Sequence, residues 1–277
     1  MVYNKKDFKN ILPKRPKNSH KGTFGRVLNI AGSEFYSGAA YFSSISALKV
    51  GCGLVTLSSA ETVLRTVSAL SPDIILMHLN KLNKENLEKF QAISIGCGLS
   101  QEVNAIKILK KVIKLLNKSD TPLVIDADGL NILSTIKNVK LPQNTILTPH
   151  PKEAARLIGA SVENILSHPD YWAKKCSEKY NCITVLKIHN TVIADNKGNF
   201  YQNNTGNSAI SHGGSGDVLC GMISGFSAQG VNAFEACALA VYLHGLAAEI
   251  ASKELSEYSV LASDLINYIP KAIKTLL

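Results

Sequence analysis

The chain lacks the features that mark a membrane, secreted or metal-stapled protein. No uncharged apolar run reaches the ~20 residues a bilayer span needs, although mean hydropathy is slightly positive at +0.07. The six cysteines, Cys52, Cys97, Cys176, Cys182, Cys220 and Cys237, form no CxxC pair and no zinc-finger spacing with histidine. They lie mostly in apolar, small-residue contexts and read as reduced, buried thiols of a cytoplasmic protein. Internal repeats, low-complexity tracts and Pro/Gly-rich linkers are absent too. With 45% apolar and 18% charged residues the chain is not disordered. Its 277 residues suit one α/β domain over 1–277 that needs no disulfide or metal staple.

Acidic residues are scarce where the charge is concentrated. Residues 1 to 26 carry eight Lys or Arg and the single acid Asp7, a net +7 of the formal +9, which leaves +2 for the remaining 251. No apolar stretch follows that would make this a secretory signal. Pro13 and Pro16 interrupt it, and only Tyr3, Phe8 and Phe24 are interleaved as possible stacking residues. Residues 1–20 therefore read as a basic, solvated arm or a steering field for an anionic substrate. A nucleic-acid binder using the arm is the competing reading, and the near-neutral body argues against it.

Short β-rich runs alternate with longer helical patterns. Strands are predicted at Arg26–Ala31, Leu54–Ser58, Ile74–His78, Ala92–Ile95, Leu123–Asp126, Thr145–Leu147, Ile183–Lys187 and Thr191–Ala194. Several are continuously apolar, as strands covered on both faces are. Helices are predicted at Ala39–Val50, Glu102–Asn117 and about Val162–Tyr180. Three more follow at Gly216–Gln229, Ala233–Ser252 and Ser263–Leu277, with Gly230 suited to end the first of them. The lysines of Glu102–Asn117 (Lys107, Lys111, Lys114) and Lys118 just beyond it form a solvated stripe opposite its apolar residues. This alternation predicts a layered α/β fold with a mainly parallel sheet.

The segment Ser211-His212-Gly213-Gly214-Ser215-Gly216-Asp217 puts three glycines before a helix. Backbone N–H groups at such a helix start, with the helix dipole, form an anion site. The pattern is neither a Walker A loop nor a dinucleotide fingerprint. Asp217 has two readings. It is a helix-start carboxylate favoured by the dipole, or a general base for a hydroxyl attacking a phosphoryl group held by the glycines.

Other polar islands end the predicted strands. Thr148-Pro149-His150-Pro151 holds His150 at a strand's C-terminal edge or simply enters a helix. Asp126-Ala127-Asp128-Gly129-Leu130-Asn131 offers Asp126 for a cation or phosphate-bound water and Asp128 as a cap. Lys187-Ile188-His189-Asn190-Thr191 is a polar hairpin turn or a phosphate contact. Gly96-Cys97-Gly98 and Ser37-Gly38-Ala39-Ala40 allow close approach of a ligand. These loops fall on what should be one sheet edge, the place where open α/β sheets bind ligands.

On these residues the chain resembles the ADP/ATP-dependent NAD(P)H-hydrate dehydratases of the ribokinase-like superfamily. The resemblance rests on four motifs in order: Gly51-Cys52-Gly53-Leu54-Val55, Asp126–Asn131, Thr148-Pro149-His150-Pro151 and Gly213-Gly214-Ser215-Gly216-Asp217-Val218-Leu219. It runs from Lys21-Gly22-Thr23-Phe24-Gly25 to the C-terminal helices. Ile188 stands where the family usually has Gly, and His212 where Thr is more usual.

The resemblance implies a ribokinase-like α/β fold: a mainly parallel central sheet with helices on both faces. It implies repair of hydrated NADH and NADPH. The hydroxyl of the S-form is phosphorylated from ADP, the preferred expectation, or ATP, giving AMP or ADP. Phosphate then leaves and the ring double bond returns. Asp217 is implied as catalytic base. Lys187, Ile188, His189, Asn190, Thr191 and Gly216 are implied as nucleotide contacts. Ala39, Ala40, Gly98, His150 and Asp217 are implied as contacts to the hydrated dinucleotide. Gly213, Gly214, Ser215 and Gly216 would form the anion hole. Mg²⁺ would bridge phosphates, with protein ligands unassigned. A cytoplasmic homotetramer without nucleic-acid or membrane partners, and without the epimerase domain of many bacterial members, completes the expectation. A vitamin-precursor kinase shares Gly216-Asp217 but would release a stable phosphorylated product.

Overall fold

The computed structural model describes residues 3–277. Nine strands form one sheet: β1 (Arg26–Ile30), β2 (Leu54–Ser59), β3 (Ile75–His78), β4 (Ala92–Ile95), β5 (Leu123–Ile125), β6 (Thr145–Leu147), β7 (Ile183–Leu186), β8 (Val192–Asp195) and β9 (Phe200–Gln202). Their spatial order is β3-β2-β1-β4-β5-β6-β7-β8-β9. Strands β1 to β7 pair in parallel, and β8 and β9 are added antiparallel. The winding reverses at β1, which has β2 on one side and β4 on the other. That reversal opens a crevice at the C-terminal strand ends.

The helices are α1 (Lys5–Ile11), α2 (Ser37–Lys49), α3 (Glu61–Leu70), α4 (Lys84–Leu87), α5 (Val103–Leu115), α6 (Asp128–Thr135), α7 (Pro151–Ile158), α8 (Val162–Ser167), α9 (Pro169–Tyr180), α10 (Ser215–Ala228), α11 (Ala233–Leu255) and α12 (Ala262–Lys274). They cover both sheet faces, and the alternation of side chains along single strands shows it. On β5, Val124 joins the apolar cluster under α10, α11 and α12, while Leu123 and Ile125 join the cluster under α5 and α6. Both-face burial is why these strands are apolar throughout.

Helix α2 is rich in small residues, and α10 lies against it. A Cβ on Gly221 of α10 would fall 2.1 Å from the Ser43 carbonyl oxygen, so only glycine permits this approach. Beneath the contact, Asn29 of β1 donates to Ser43 Oγ (2.8 Å) and Ser44 Oγ (2.9 Å) and accepts from Ser94 Oγ (2.9 Å). This satisfied polar network fixes β1, β4 and α2 directly below the crevice. Helix α11 is apolar and long enough by length and composition to cross a membrane, and most of it is buried in the core.

The structure departs from the sequence reading in three places. The basic segment is not a free arm. Asn4 caps α1, and the buried Phe8 stacks on Tyr242 at 4.2 Å between ring centroids, while Lys5, Lys6 and Lys9 stay exposed. Arg15 lies over the Phe24 ring (4.0 Å) and donates to the Gly51 carbonyl. The helix predicted over Val162–Tyr180 is two helices, because Pro169 starts a second one. Strand β9 and helices α1, α3 and α4 lie beyond the predicted elements, while α6 and α7 begin at the helix starts read at Asp128 and His150. All six cysteines are buried and free, as expected.

Candidate active site

The C-terminal ends of β4, β5, β6 and β7 and the N-termini of α2 and α10 meet in the crevice. At β4, Gly96 adopts φ +125°, and a Cβ there would lie 2.0 Å from the Asp126 carbonyl oxygen. Glycine therefore lets the β4 and β5 loops touch. Between the two aspartates Ala127 holds φ 49° and ψ −119°, a strained conformation for a residue with a side chain. Its N–H donates to Asp126 Oδ1 (2.9 Å). Asp128 does not cap its own helix through its side chain. Its carboxylate accepts from Ser100 N (2.9 Å) and Gln101 Nε2 (3.2 Å), bracing the loop after Gly98.

Buried Asp126 and partly buried Lys187 form an ion pair at 2.6 Å. Burial works against the Lys187 ammonium, but Asp126 and Glu153 more than offset it, and its pKa stands above the ordinary lysine value. Lys187 is thus always charged and points from β7 across to β5. The turn it begins is tied down by Lys187 N donating to Pro149 O (2.8 Å) and Thr191 Oγ1 donating to Ile188 O (3.1 Å).

His150 is the N-cap of α7. Its Nδ1 accepts from Lys152 N (3.1 Å) and Glu153 N (3.3 Å), while Glu153 Oε2 accepts from His150 N (2.8 Å). With Nδ1 accepting, the ring proton belongs on Nε2. Burial first, and then Lys187, lower the His150 pKa, so the ring is neutral near pH 7. Glu153 is buried, and burial raises its pKa to about 7.

Gly214 takes φ +94° as N-cap of α10, and a Cβ there would strike the Phe42 ring at 2.8 Å. The loop is braced from two sides. Ser215 Oγ donates to Ile210 O (2.6 Å), and the buried His244 of α11 donates from Nε2 to Ser215 O (3.0 Å). Burial lowers the His244 pKa to about 4, so it braces as a neutral ring. The N–H groups of Gly216 and Asp217, in the first turn, have no intrahelical acceptor and are available to an anion. Ser215 N already bonds His212 O at 3.4 Å.

Asp217 sits in this first turn, partly open to the crevice. Burial, then Asp126, raise its pKa from the ordinary 3.8 to about 6, against the opposing Cys97 hydrogen bond and Lys187 charge. A carboxyl in that range is ionised at neutral pH yet basic enough to accept a proton.

A cavity of about 510 Å³ opens on one side of the α10 N-terminus, at Ser215 and Gly216. Lys187, Ile188, His189, Thr191 and Gly216 line it, whereas Asn190 does not. Asn203, Thr205, Asn207 and His244 line it as well. The polar run Asn203-Asn204-Thr205-Gly206-Asn207 was their signal in the sequence. Gly213 and Gly214 belong to the loop before α10 and are not part of the cavity wall. On the other side a Cβ at Gly98 would meet Ala39 Cβ at 2.9 Å and Tyr36 Cβ at 2.7 Å, which puts Ala39 and Gly98 together. Ala40 is fully buried beneath them, close to Gly32, and its side chain faces the core rather than the crevice.

Comparison with known proteins finds similarity over most of the chain. The model of the NAD(P)H-hydrate dehydratase family matches residues 27–271. An ADP-dependent (S)-NAD(P)H-hydrate dehydratase of Neisseria meningitidis is 38% identical over 88% of this chain and 82% of its own length. A bifunctional NAD(P)H-hydrate repair enzyme of Moorella thermoacetica is 35% identical over 96% of this chain. The match takes in only 52% of that longer protein. Among solved structures, the ADP/ATP-dependent NAD(P)H-hydrate dehydratase of Bacillus subtilis co-crystallised with ATP/Mg²⁺ superposes with a TM-score of 0.90 at 31% identity. That match covers 100% of this chain and 98% of that one.

Proposed function

The chain belongs to the NAD(P)H-hydrate dehydratase family and has its ribokinase-like fold, and we propose on that premise that it restores hydrated NADH and NADPH. An adenine nucleotide, ADP in preference to ATP, phosphorylates the hydroxyl of the S-form of the hydrate. The products are AMP (or ADP), phosphate and the reduced dinucleotide. The observation that carries this reading is Asp217, with its carboxyl raised to about 6. It follows Gly216, which lines a nucleotide-sized cavity, and its pKa responds to Cys97, the chain neighbour of Gly98.

The nucleotide occupies the cavity bounded by Lys187, Ile188, His189, Thr191 and Gly216, with Asn190 at its exposed rim. Its terminal phosphate meets the Gly213–Gly216 loop and the free first-turn N–H groups of α10. The hydrated ring lies over Ala39 and Gly98, within reach of the His150 Nε2–H. Its hydroxyl oxygen attacks phosphorus as Asp217 takes the hydroxyl proton, and the bond to the departing nucleotide breaks. The ring nitrogen's lone pair then expels phosphate, and loss of the neighbouring ring proton restores the double bond.

Mg²⁺ fits as an ion that arrives with the nucleotide. Among the described residues the metal-sized group at the crevice contains two thiols, not a cage of oxygens. Mg²⁺ characteristically uses substrate phosphates, water and one or two carboxylates. Asp126 would hold such an ion through water. When bound, the ion neutralises charge on the phosphates.

We assign one domain and the dehydratase activity to this chain. A cytoplasmic setting is supported by the six free thiols. A homotetramer is supported by apolar side chains left at the surface, among them Phe35, Tyr36, Tyr258 and Leu261. The test is to incubate the protein with hydrated NADH and ADP or ATP and follow the absorbance of the reduced nicotinamide. Restoration with phosphate release is expected. A stable phosphorylated product would point to a small-molecule kinase instead, and no turnover with either nucleotide refutes the proposal.

A further inference from the structure

The floor of the crevice holds two thiols that phosphoryl transfer does not use, packed beside Asp126. Cys97 follows β4, Asp126 follows β5, and Cys220 lies one helical turn after Asp217 on α10. One ligand atom from each lies within 4.8 Å of the other two, and all three residues are buried. Cys97 Sγ is 4.0 Å from Asp126 Oδ2, and Cys220 Sγ lies within 4.8 Å of both. Asp126 Oδ1 is committed to Lys187 and to the Ala127 N–H, so Oδ2 is the oxygen left facing sulfur.

We propose that Cys97, Cys220 and Asp126 form a site for a thiophilic divalent cation of the zinc class, and that its occupancy inhibits the enzyme. Ligand atoms on one tetrahedral zinc ion, at about 2.0–2.3 Å, stand roughly 3.3–3.8 Å apart. Contraction from at most 4.8 Å therefore needs a shift of only about 1 Å, within reach of side-chain rotation. Charge also balances. The ion enters as both thiols release their protons to water, so the dication replaces two protons beside the neutral Asp126–Lys187 pair. Desolvation then falls on a neutral cluster rather than on a bare charge.

Two contrasts sharpen the assignment. Mg²⁺ is a hard cation with oxygen ligands and does not compete for a thiolate pair. Cys176 and Cys182 are also buried neighbours, but their polar contact is Thr184 rather than a carboxylate. Access is short, because Gly98 and Ala127, next in the chain to Cys97 and Asp126, are both partly exposed to the crevice. Inhibition follows from position. A dication one turn below Asp217 draws that carboxylate's electrons away from the substrate proton and makes it a weaker base.

The test uses the reduced, chelator-treated full chain with Mg²⁺ in excess. Cd²⁺ titration should give a thiolate-to-metal charge-transfer band that saturates at a single site and is displaced by Zn²⁺. Cys97→Ala/Cys220→Ala should lose the band, and Cys176→Ala/Cys182→Ala should keep it. In the repair assay Zn²⁺ should abolish most wild-type turnover and a chelator should restore it. The Cys97→Ala/Cys220→Ala protein should keep its own ion-free rate, whatever that is, when Zn²⁺ is added. If that double variant does not fold, Cys220→Ser alone should weaken Cd²⁺ binding. An absent band in the wild type, or one unchanged in these variants, overturns the proposal. The binding readout does not depend on the dehydratase reading and can fail separately from it.

Discussion

Replacing Asp217 by Asn should stabilise the protein while removing its proposed catalysis. The Asp217 carboxyl is raised from 3.8 to about 6, chiefly by burial and next by Asp126. At about 1.4 kcal/mol per pKa unit, the ionised carboxylate destabilises the folded chain by about 3 kcal/mol at pH 7. Asn has the shape of the protonated acid and escapes that penalty. The sign depends on pH. Below 3.8 both folded and unfolded carboxyls are protonated, and the two proteins should be equally stable. Between 3.8 and about 6 the unfolded carboxyl ionises first, so the wild type loses stability relative to the variant. Above that range the gap is constant at about 3 kcal/mol in favour of Asn. Urea denaturation of both proteins at several pH values measures this difference, because titrating groups not coupled to Asp217 cancel between them. A gap that does not change with pH, or a wild type more stable at pH 7, refutes the burial argument. In the same series, wild-type kcat/KM should rise with pH through about 6 as the base loses its proton, and the variant should retain little activity.

Other substitutions probe the supports of the site. Lys187→Met leaves Asp126 buried without its cation, 2.6 Å away in the native pair. It should destabilise by about 3–5 kcal/mol in urea melts and raise KM for the nucleotide. Gly221→Ala would gain about 1 kcal/mol in an open helix. Here its Cβ would lie 2.1 Å from Ser43 O, so thermal melts should show a loss of at least about 1–3 kcal/mol. Phe8→Ala should lower stability by about 3–5 kcal/mol, whereas Lys5→Ala and Lys6→Ala should stay within about 0.5 kcal/mol. That contrast separates a packed helix from a merely charged arm.

What the sequence revealed was local. Strands such as Ala92–Ile95 are visible because burial on both faces requires a continuous apolar run, and all four of its residues are buried. The Gly213–Asp217 loop is visible because three glycines in four positions before a helix stand out in composition, one of them, Gly214, at φ +94°. Helix α1 was not visible: within Lys5–Ile11 only Phe8 is buried, which gives periodicity nothing to count. Strand β9, three residues long, has one buried side chain. The Lys187–Asp126 pair joins residues 61 apart and exists only because β5 and β7 flank β6. His244 lies in an Ala-rich stretch of α11 and reads as core until the structure shows the Ser215 carbonyl it holds.

The close crossing of α10 over α2 also bears on how the protein is made. Helix α2 is complete by residue 49, but the glycine face that covers it arrives only with residues 215–228. A ribosome adding roughly 5–20 residues per second leaves β1, β4 and the small-residue side of α2 uncovered for about ten seconds or more. The parallel pairings and this long-range closure make folding slow. The Gly213–Asp217 loop therefore takes shape among the last parts of the molecule. Slowing translation before residue 215 should lengthen the period in which nascent chains are captured by chaperones, and Gly221→Ala should prolong it further.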